Sequence, residues 1–213
     1  MCRLLAIKRR DPFEPTEHLR RFAEIARASR EYQGHGWGCA ALGEDGGWRI
    51  HRDIRPIWDD DLGRFAPTRL LLAHARSAFR DEGITVENNM PFSDERSVFI
   101  FNGELRGVRI REHGRIGAEK IYNFIRRLDQ GDLASALRRA AELIEKRTRY
   151  VRAMNIIVSD GERVCISSRF NEDADYFTMH VAELSDGFVV CSAPYECGAT
   201  WRPIANGETS VLQ

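Results

Sequence analysis

The residues able to do chemistry here begin at Cys2, the second residue of a 213-residue sequence. Methionine removal is efficient when the next residue is small, which predicts a processed chain starting at Cys2. One residue then carries both a thiol and a free α-amine. The amine, with an unperturbed pKa of roughly 7.7–8.0, can take the thiol proton directly or through one water. Taken alone, Cys2 reads more simply as the start of a buried strand, because Leu4 and Leu5 follow it.

Four further segments carry suitable groups. Phe101-Asn102-Gly103-Glu104 ends an apolar run with a side-chain amide and a flexible backbone N–H. These are the two donors of an oxyanion hole, each worth about 3–4 kcal/mol in a transition state. Asn-Gly is equally a common tight turn. His74 and Arg76 are two residues apart, so a strand presents both on one face. Arg76 suits bidentate capture of a substrate carboxylate, or a structural ion pair; His74 alone reads equally as a core histidine. In His35-Gly36-Trp37-Gly38, glycines that permit close backbone approach flank Trp37, an arrangement able to shape a pocket wall. Asn88-Asn89-Met90-Pro91-Phe92 is a loop whose amides orient a substrate or cap a turn.

The scaffold for these groups is legible in outline. Residues 2–7 read as a short buried strand, and 15–30 as an amphipathic helix with Leu19, Phe22, Ile25 and Ala26 on one stripe. Strands at 38–43 and 47–52 meet through Glu44-Asp45-Gly46-Gly47. Apolar runs at 69–75 and 97–101 have strand length, the second stopping at Asn102-Gly103. Helices are predicted at 118–129 and 132–147, the latter capped by Asp132. Strands at 154–159, 163–168, 176–183 and 187–192 complete the chain, with turns at Asp160-Gly161 and Asp186-Gly187. Strands, two central helices, then strands again fit an α+β fold of antiparallel sheets. No linker or repeat interrupts the composition, so residues 1–213 are expected to form a single domain.

Composition narrows the function classes. With 32 basic and 32 acidic residues the net charge is zero, which argues against a nucleic-acid arm or a polybasic membrane anchor. No apolar run reaches the roughly 18–20 residues of a membrane span, and no secretory signal is evident. A soluble, cytoplasmic protein is expected. The cysteines form no CxxC pair, which speaks against a zinc ribbon and a disulfide framework.

The order of the motifs is more specific than any one of them. Cys2, HGWG at 35–38, LLLAHAR at 70–76, NNMPF at 88–92 and FNGEL at 101–105 follow one another along the chain. In this the sequence resembles the class II glutamine amidotransferase domain, a member of the N-terminal-nucleophile hydrolases, and most of all its stand-alone branch. Met154–Gly161 with Ser168-Arg169-Phe170, and Ser192-Ala193-Pro194 with Trp201-Arg202-Pro203-Ile204, extend the likeness over nearly the whole chain. The resemblance implies a four-layer αββα sandwich of two antiparallel sheets with helices on both outer faces. It implies that Cys2 attacks the side-chain amide of glutamine, that Asn102 and the Gly103 N–H hold the oxyanion, and that Arg76 clamps the α-carboxylate. His74, Asn89, Trp37 and Glu119 are expected around the substrate. Ammonia leaves, and a γ-glutamyl thioester on Cys2 is released as glutamate by water. No metal or organic cofactor is called for. An ammonia-accepting synthase or ligase is the expected partner, and the oligomeric state is left open.

One position departs from the pattern. The family places Asp-Ser-Glu or Asp-Thr-Glu at the start of the helix after the Asn-Gly strand, where the Asp receives the substrate α-ammonium. This sequence reads Arg115-Ile116-Gly117-Ala118-Glu119, so Glu119 matches while Gly117 stands where the Asp belongs. A nearby acid (Glu119, Glu104 or Asp94) then substitutes, or the substrate lacks a free α-amine, or the chain is a non-catalytic binding or regulatory subunit. A Cys2–His74 hydrolase would work with Met1 retained, whereas the amine mechanism would not.

Overall fold

The apolar runs near residues 4–7 and 70–73 are continuous rather than alternating because both faces of the sheet they build are covered. The structure, a computed structural model, describes residues 1–213. The chain opens with β1 (Arg3–Phe13), α1 (Thr16–Arg27), β2 (Trp37–Leu42), β3 (Trp48–Asp53) and β4 (Thr68–Ala75). Next come β5 (Phe92–Ser93), β6 (Val98–Val108), α2 (Gly117–Leu128), α3 (Leu133–Lys146), β7 (Thr148–Ser159) and β8 (Val164–Ser167). A single turn, α4 (Ala174–Phe177), precedes β9 (His180–Leu184), β10 (Gly187–Cys191), β11 (Trp201–Pro203) and β12 (Thr209–Leu212). Seven strands form one sheet, in the order β11-β9-β10-β1-β4-β2-β3, and five form the other, β12-β8-β7-β6-β5. Every pairing is antiparallel, so the α+β sandwich expected from the sequence is the one observed.

Period two sorts the side chains into layers. Leu4, Ala6, Leu70 and Leu72 face the five-stranded sheet, while Leu5, Ile7, Leu71 and Ala73 face outward under α1. There Leu19, Phe22, Ala23 and Ala26 close the outer face; Ile25, expected on that stripe, is only half-buried. On the far side α2 and α3 cover the five-stranded sheet through Ile121, Phe124, Ile125, Leu137 and Ile144. Asp132 caps α3 as expected, accepting from the Ser135 N–H at 3.4 Å. No helix is long and apolar enough to cross a membrane.

Three local expectations are corrected. The strand expected to stop at Phe101 continues to Val108, because β7 supplies ladder partners from Ser159 back to Thr148, with a bulge after Glu104. Asn102-Gly103 is therefore neither a strand end nor a turn; it lies mid-strand, opposite Asn155 and Met154. The strand expected at 176–183 begins only at His180, since Asp173 takes a left-handed conformation (φ 50°) and its carbonyl accepts from the Tyr176 and Phe177 N–H groups. Two short strands, β11 and β12, escaped notice because three or four residues carry too little pattern to read.

The layer between the sheets holds the molecule together, and Leu72, fully buried there two residues before His74, reports on it. Leu72→Ala is expected to cost about 2–5 kcal/mol, read as a lower denaturant midpoint with an unchanged slope.

Candidate active site

Cys2 immediately precedes β1, the central strand of its sheet, and is 9% exposed; by alternation it falls on the inner face with Leu4 and Ala6. The neighbouring strand β4 presents His74 and then Arg76 on its own inner face, His74 opposite Leu4. The thiol lies where β4 ends: the Ser77 N–H donates to Sγ at 3.5 Å and Sγ approaches the Ser77 carbonyl at 3.6 Å. Beside it opens a cavity of about 800 Å³. Cys2, Glu31, Arg76, Gly103, Glu104 and Gly117 line it among others. Burial pushes the Cys2 thiol up, against the opposing pull of the N-terminal charge, the Ser77 N–H and Arg76. A thiol so placed stays protonated near neutrality and needs a base to become a nucleophile.

The Asn102-Gly103 pair is built into β6. Phe99 stacks on Tyr122 of α2 with ring centroids 5.2 Å apart, so by alternation Asn102 faces the other way, between the sheets. Its side chain is 1% exposed, and neither Oδ1 nor Nδ2 has a hydrogen-bond partner. Leaving a buried amide unpaired costs about 1–3 kcal/mol, so its retention there calls for a use. Gly103 is fixed by two constraints. A Cβ at this position would sit 2.2 Å from the Ala153 carbonyl oxygen, which excludes any side chain. The Met154 N–H donates at 2.7 Å to the Arg169 carbonyl, away from β6, so Gly103 and Met154 form a non-hydrogen-bonded pair. The Gly103 N–H accordingly points away from β7, on the side where β5 has already ended.

Arg76 lines the cavity, yet its guanidinium also organises the loop after β4. It donates to the Asn89 side-chain oxygen and the Gly83 carbonyl, both at 2.8 Å, and to the Thr85 carbonyl at 3.4 Å. All three acceptors are neutral, so the charge of Arg76 is left uncompensated for an anionic ligand. Asn89 does not line the cavity; it is fully buried, bridging Arg76 and the Asp53 carbonyl. Gly36 makes that bridge possible: its φ is 112°, and a Cβ there would meet the Asn89 amide nitrogen at 2.1 Å. Gly36, beside Trp37, thus serves Arg76 indirectly. Trp37 itself lies in the outer layer, its indole N–H donating to Asp60 at 3.0 Å, and it does not reach the cavity.

His74 is fully buried with both ring nitrogens unpartnered, and no hydrogen bond joins it to Cys2. Burial, and then the like charge of Arg76, lower its pKa to about 3, so it is neutral at physiological pH. The arrangement offers nothing to a Cys2–His74 dyad.

Gly117 opens α2 and borders the cavity with nothing within 4 Å of where its Cβ would be. Of the acids considered as substitutes, Glu119 is paired with Arg115 and Asp94 with Arg126, and neither lines the cavity. Glu104 does line it, held by Arg106 and Arg152. The residues not foreseen are Glu31, Gln33, Arg152 and Tyr176, which gather around residue 1 from three separate parts of the chain; no local pattern marks them. A group with metal-ligand spacing, His51, Asp53 and Asp60, lies away from the cavity, and Arg55 and Arg64 already occupy its carboxylates.

No family model matches the chain. A γ-glutamyl-hercynylcysteine sulfoxide hydrolase of Mycolicibacterium smegmatis is 28% identical over 181 residues, 79% of this chain and 73% of that protein. A glutamine aminotransferase class-II domain protein of Silicibacter pomeroyi superposes with a TM-score of 0.67 at 17% identity, covering 99% of this chain and 94% of the other. The phosphoribosylpyrophosphate amidotransferase of Bacillus subtilis superposes at 0.71 with 14% identity, and the match spans 99% of this chain but only 47% of that enzyme. The chain therefore has the fold of the class II glutamine amidotransferase domains, two stacked antiparallel sheets with helices outside them.

Proposed function

We propose that the chain hydrolyses a γ-glutamyl-type amide through Cys2, with Met1 removed. The observation carrying this reading is the unpaired, buried Asn102 amide beside Gly103, in the layer where Cys2 and Arg76 converge. The α-amine takes the thiol proton and Sγ attacks the amide carbon. Asn102 Nδ2 and the Gly103 N–H stabilise the oxyanion. The C–N bond breaks as its nitrogen is protonated, leaving a thioester on Cys2 that water cleaves to the free acid. Arg76 receives the substrate carboxylate. Where the leaving group is ammonia, glutamine is the substrate and a separate synthase or ligase docked over the cavity is the acceptor. All five cysteines are free, which agrees with a reducing, cytoplasmic setting.

Gly117 favours a second reading. With Gly117 offering no carboxylate and Glu119 of the same turn paired with Arg115, and with Arg80 and Lys120 on the cavity wall without acidic partners, a carboxylate-bearing amide lacking the α-ammonium fits the charge better than glutamine does. A cavity of about 800 Å³ also has room for a substituent on the amide nitrogen.

Intact mass before and after incubation with 6-diazo-5-oxo-norleucine, an alkylating glutamine mimic, separates the readings. Loss of Met1 with one adduct on Cys2 is the expected result for glutamine. Loss of Met1 without an adduct moves the substrate to amides lacking the ammonium, and full retention of Met1 sinks the amine mechanism in favour of a non-catalytic subunit. Asn102→Leu is expected to reduce turnover at least about 100-fold while the melting temperature does not fall, since an unpaired buried amide is removed. Gly117→Asp places a carboxylate in open space and is expected to lower the KM for glutamine about tenfold.

A further inference from the structure

Residue 1 is gripped at both of its polar ends. Its amine is ion-paired with Glu31, and its carbonyl oxygen accepts from Gln33 Nε2 at 2.5 Å and from the Tyr176 hydroxyl at 2.6 Å. That carbonyl carbon is bonded to the Cys2 nitrogen, about 1.33 Å away, so the groups around it border the nitrogen that Met1 removal sets free. They are themselves held in place. Gln33 is fully buried and donates also to the Glu31 carbonyl at 2.8 Å and to the Tyr176 hydroxyl at 3.2 Å. Arg152 holds the Glu31 carboxylate at 3.1 Å and is in turn held by Asp173 at 2.7 Å. The Ser29 hydroxyl lies 3.2 Å from the Tyr176 oxygen and can accept its proton. None of this is needed to hold a residue that processing discards.

The geometry points to Glu31 and Tyr176, braced by Gln33, as positioning residues for the Cys2 α-amine in the processed chain. The inference rests on the amine-as-base reading above. A neutral amine has two N–H donors and one lone pair. With Met1 gone, the Glu31 carboxylate and the Tyr176 oxygen accept the two N–H groups, and the lone pair is left for the Sγ–H proton of the same residue. The charge of Glu31 also disfavours the thiolate, pushing the thiol up. The charged and titratable groups gathered around residue 1 and Cys2 are Arg3 from β1, Glu31 after α1, Arg76 just after β4, Glu104 from β6, Arg152 from β7, and Asp173 and Tyr176 around α4.

The test needs no substrate: the rate of Cys2 carboxamidomethylation by iodoacetamide, followed by peptide mass from pH 5 to 10, on protein whose intact mass shows loss of Met1. Cys39, Cys165 and Cys191 are buried with pKa pushed up to about 12, so they do not compete. Glu31→Gln is expected to move the midpoint down by about one pH unit, because the anion that pushes the thiol up is gone. Tyr176→Phe is expected to slow alkylation at neutral pH about tenfold through a misaligned amine. Profiles unchanged in both variants overturn the assignment, as does a chain that keeps Met1. A wild-type protein that alkylates as described, yet ignores every amide and the diazo reagent, instead sinks the substrate reading and leaves the cradle standing.

Discussion

Everything at this site depends on the register of β1 between β10 and β4. Leu5 lies opposite Cys191 on one side and Ala73 on the other, and this pairing puts even-numbered residues of β1 on the inner face. A slip by one residue would turn Cys2 outward under α1 and bring Arg3 into the layer between the sheets. The register is pinned by apolar demand on both faces. Leu4 and Ala6 fill the inner layer, and Leu5 and Ile7 the outer one. Arg3 adds a polar check from the outer side, with its guanidinium 3.9 Å from the Tyr176 ring and a hydrogen bond to the Tyr176 carbonyl.

Within that frame, the inner layer tolerates polar atoms where packing alone would favour hydrocarbon. Asn102 and His74 are both buried with their polar atoms unpaired, in a layer otherwise built from leucine, isoleucine, valine and phenylalanine. Such groups oppose folding, and Asn102 lies next to Gly103, which lines the same cavity as Cys2. The loop from Ser77 to Asn89 follows the same logic at its edge. It has few apolar anchors of its own, and Arg76 supplies what it lacks by collecting backbone carbonyls.

Much of this was legible in the amino-acid order. The long periodic elements, α1, α2 and α3, and the apolar strands β4 and β10 were readable because burial on one stripe or on both faces leaves a strong pattern. Cys2, Arg76 and Gly103 stood out because their types are unusual at the ends and middles of apolar runs, and the fold brings all three to one cavity. Trp37 and Asn89 were misplaced for one reason: a glycine-flanked aromatic and an amide-rich loop look alike whether they touch a ligand or brace the residue that does. The continuation of β6 past Asn102 depends on a partner strand almost fifty residues away, beginning at Thr148, and no local signal announces it. Glu31, Gln33 and Tyr176 were invisible for the same reason, since only the tertiary fold joins them.

The topology also sets a clock. The strand that follows Cys2 is completed by β10, and residue 1 is gripped by Tyr176, so both closures wait for the last fifth of the chain to be made. At about 5–20 residues per second of synthesis, the first residue stays free for on the order of ten seconds or more before these contacts can form. An aminopeptidase working on the nascent chain has that interval; afterwards the methionine lies under Gln33 and Tyr176 with its amine locked to Glu31. On the reading proposed above, trimming and strand closure then compete for the same residue during translation.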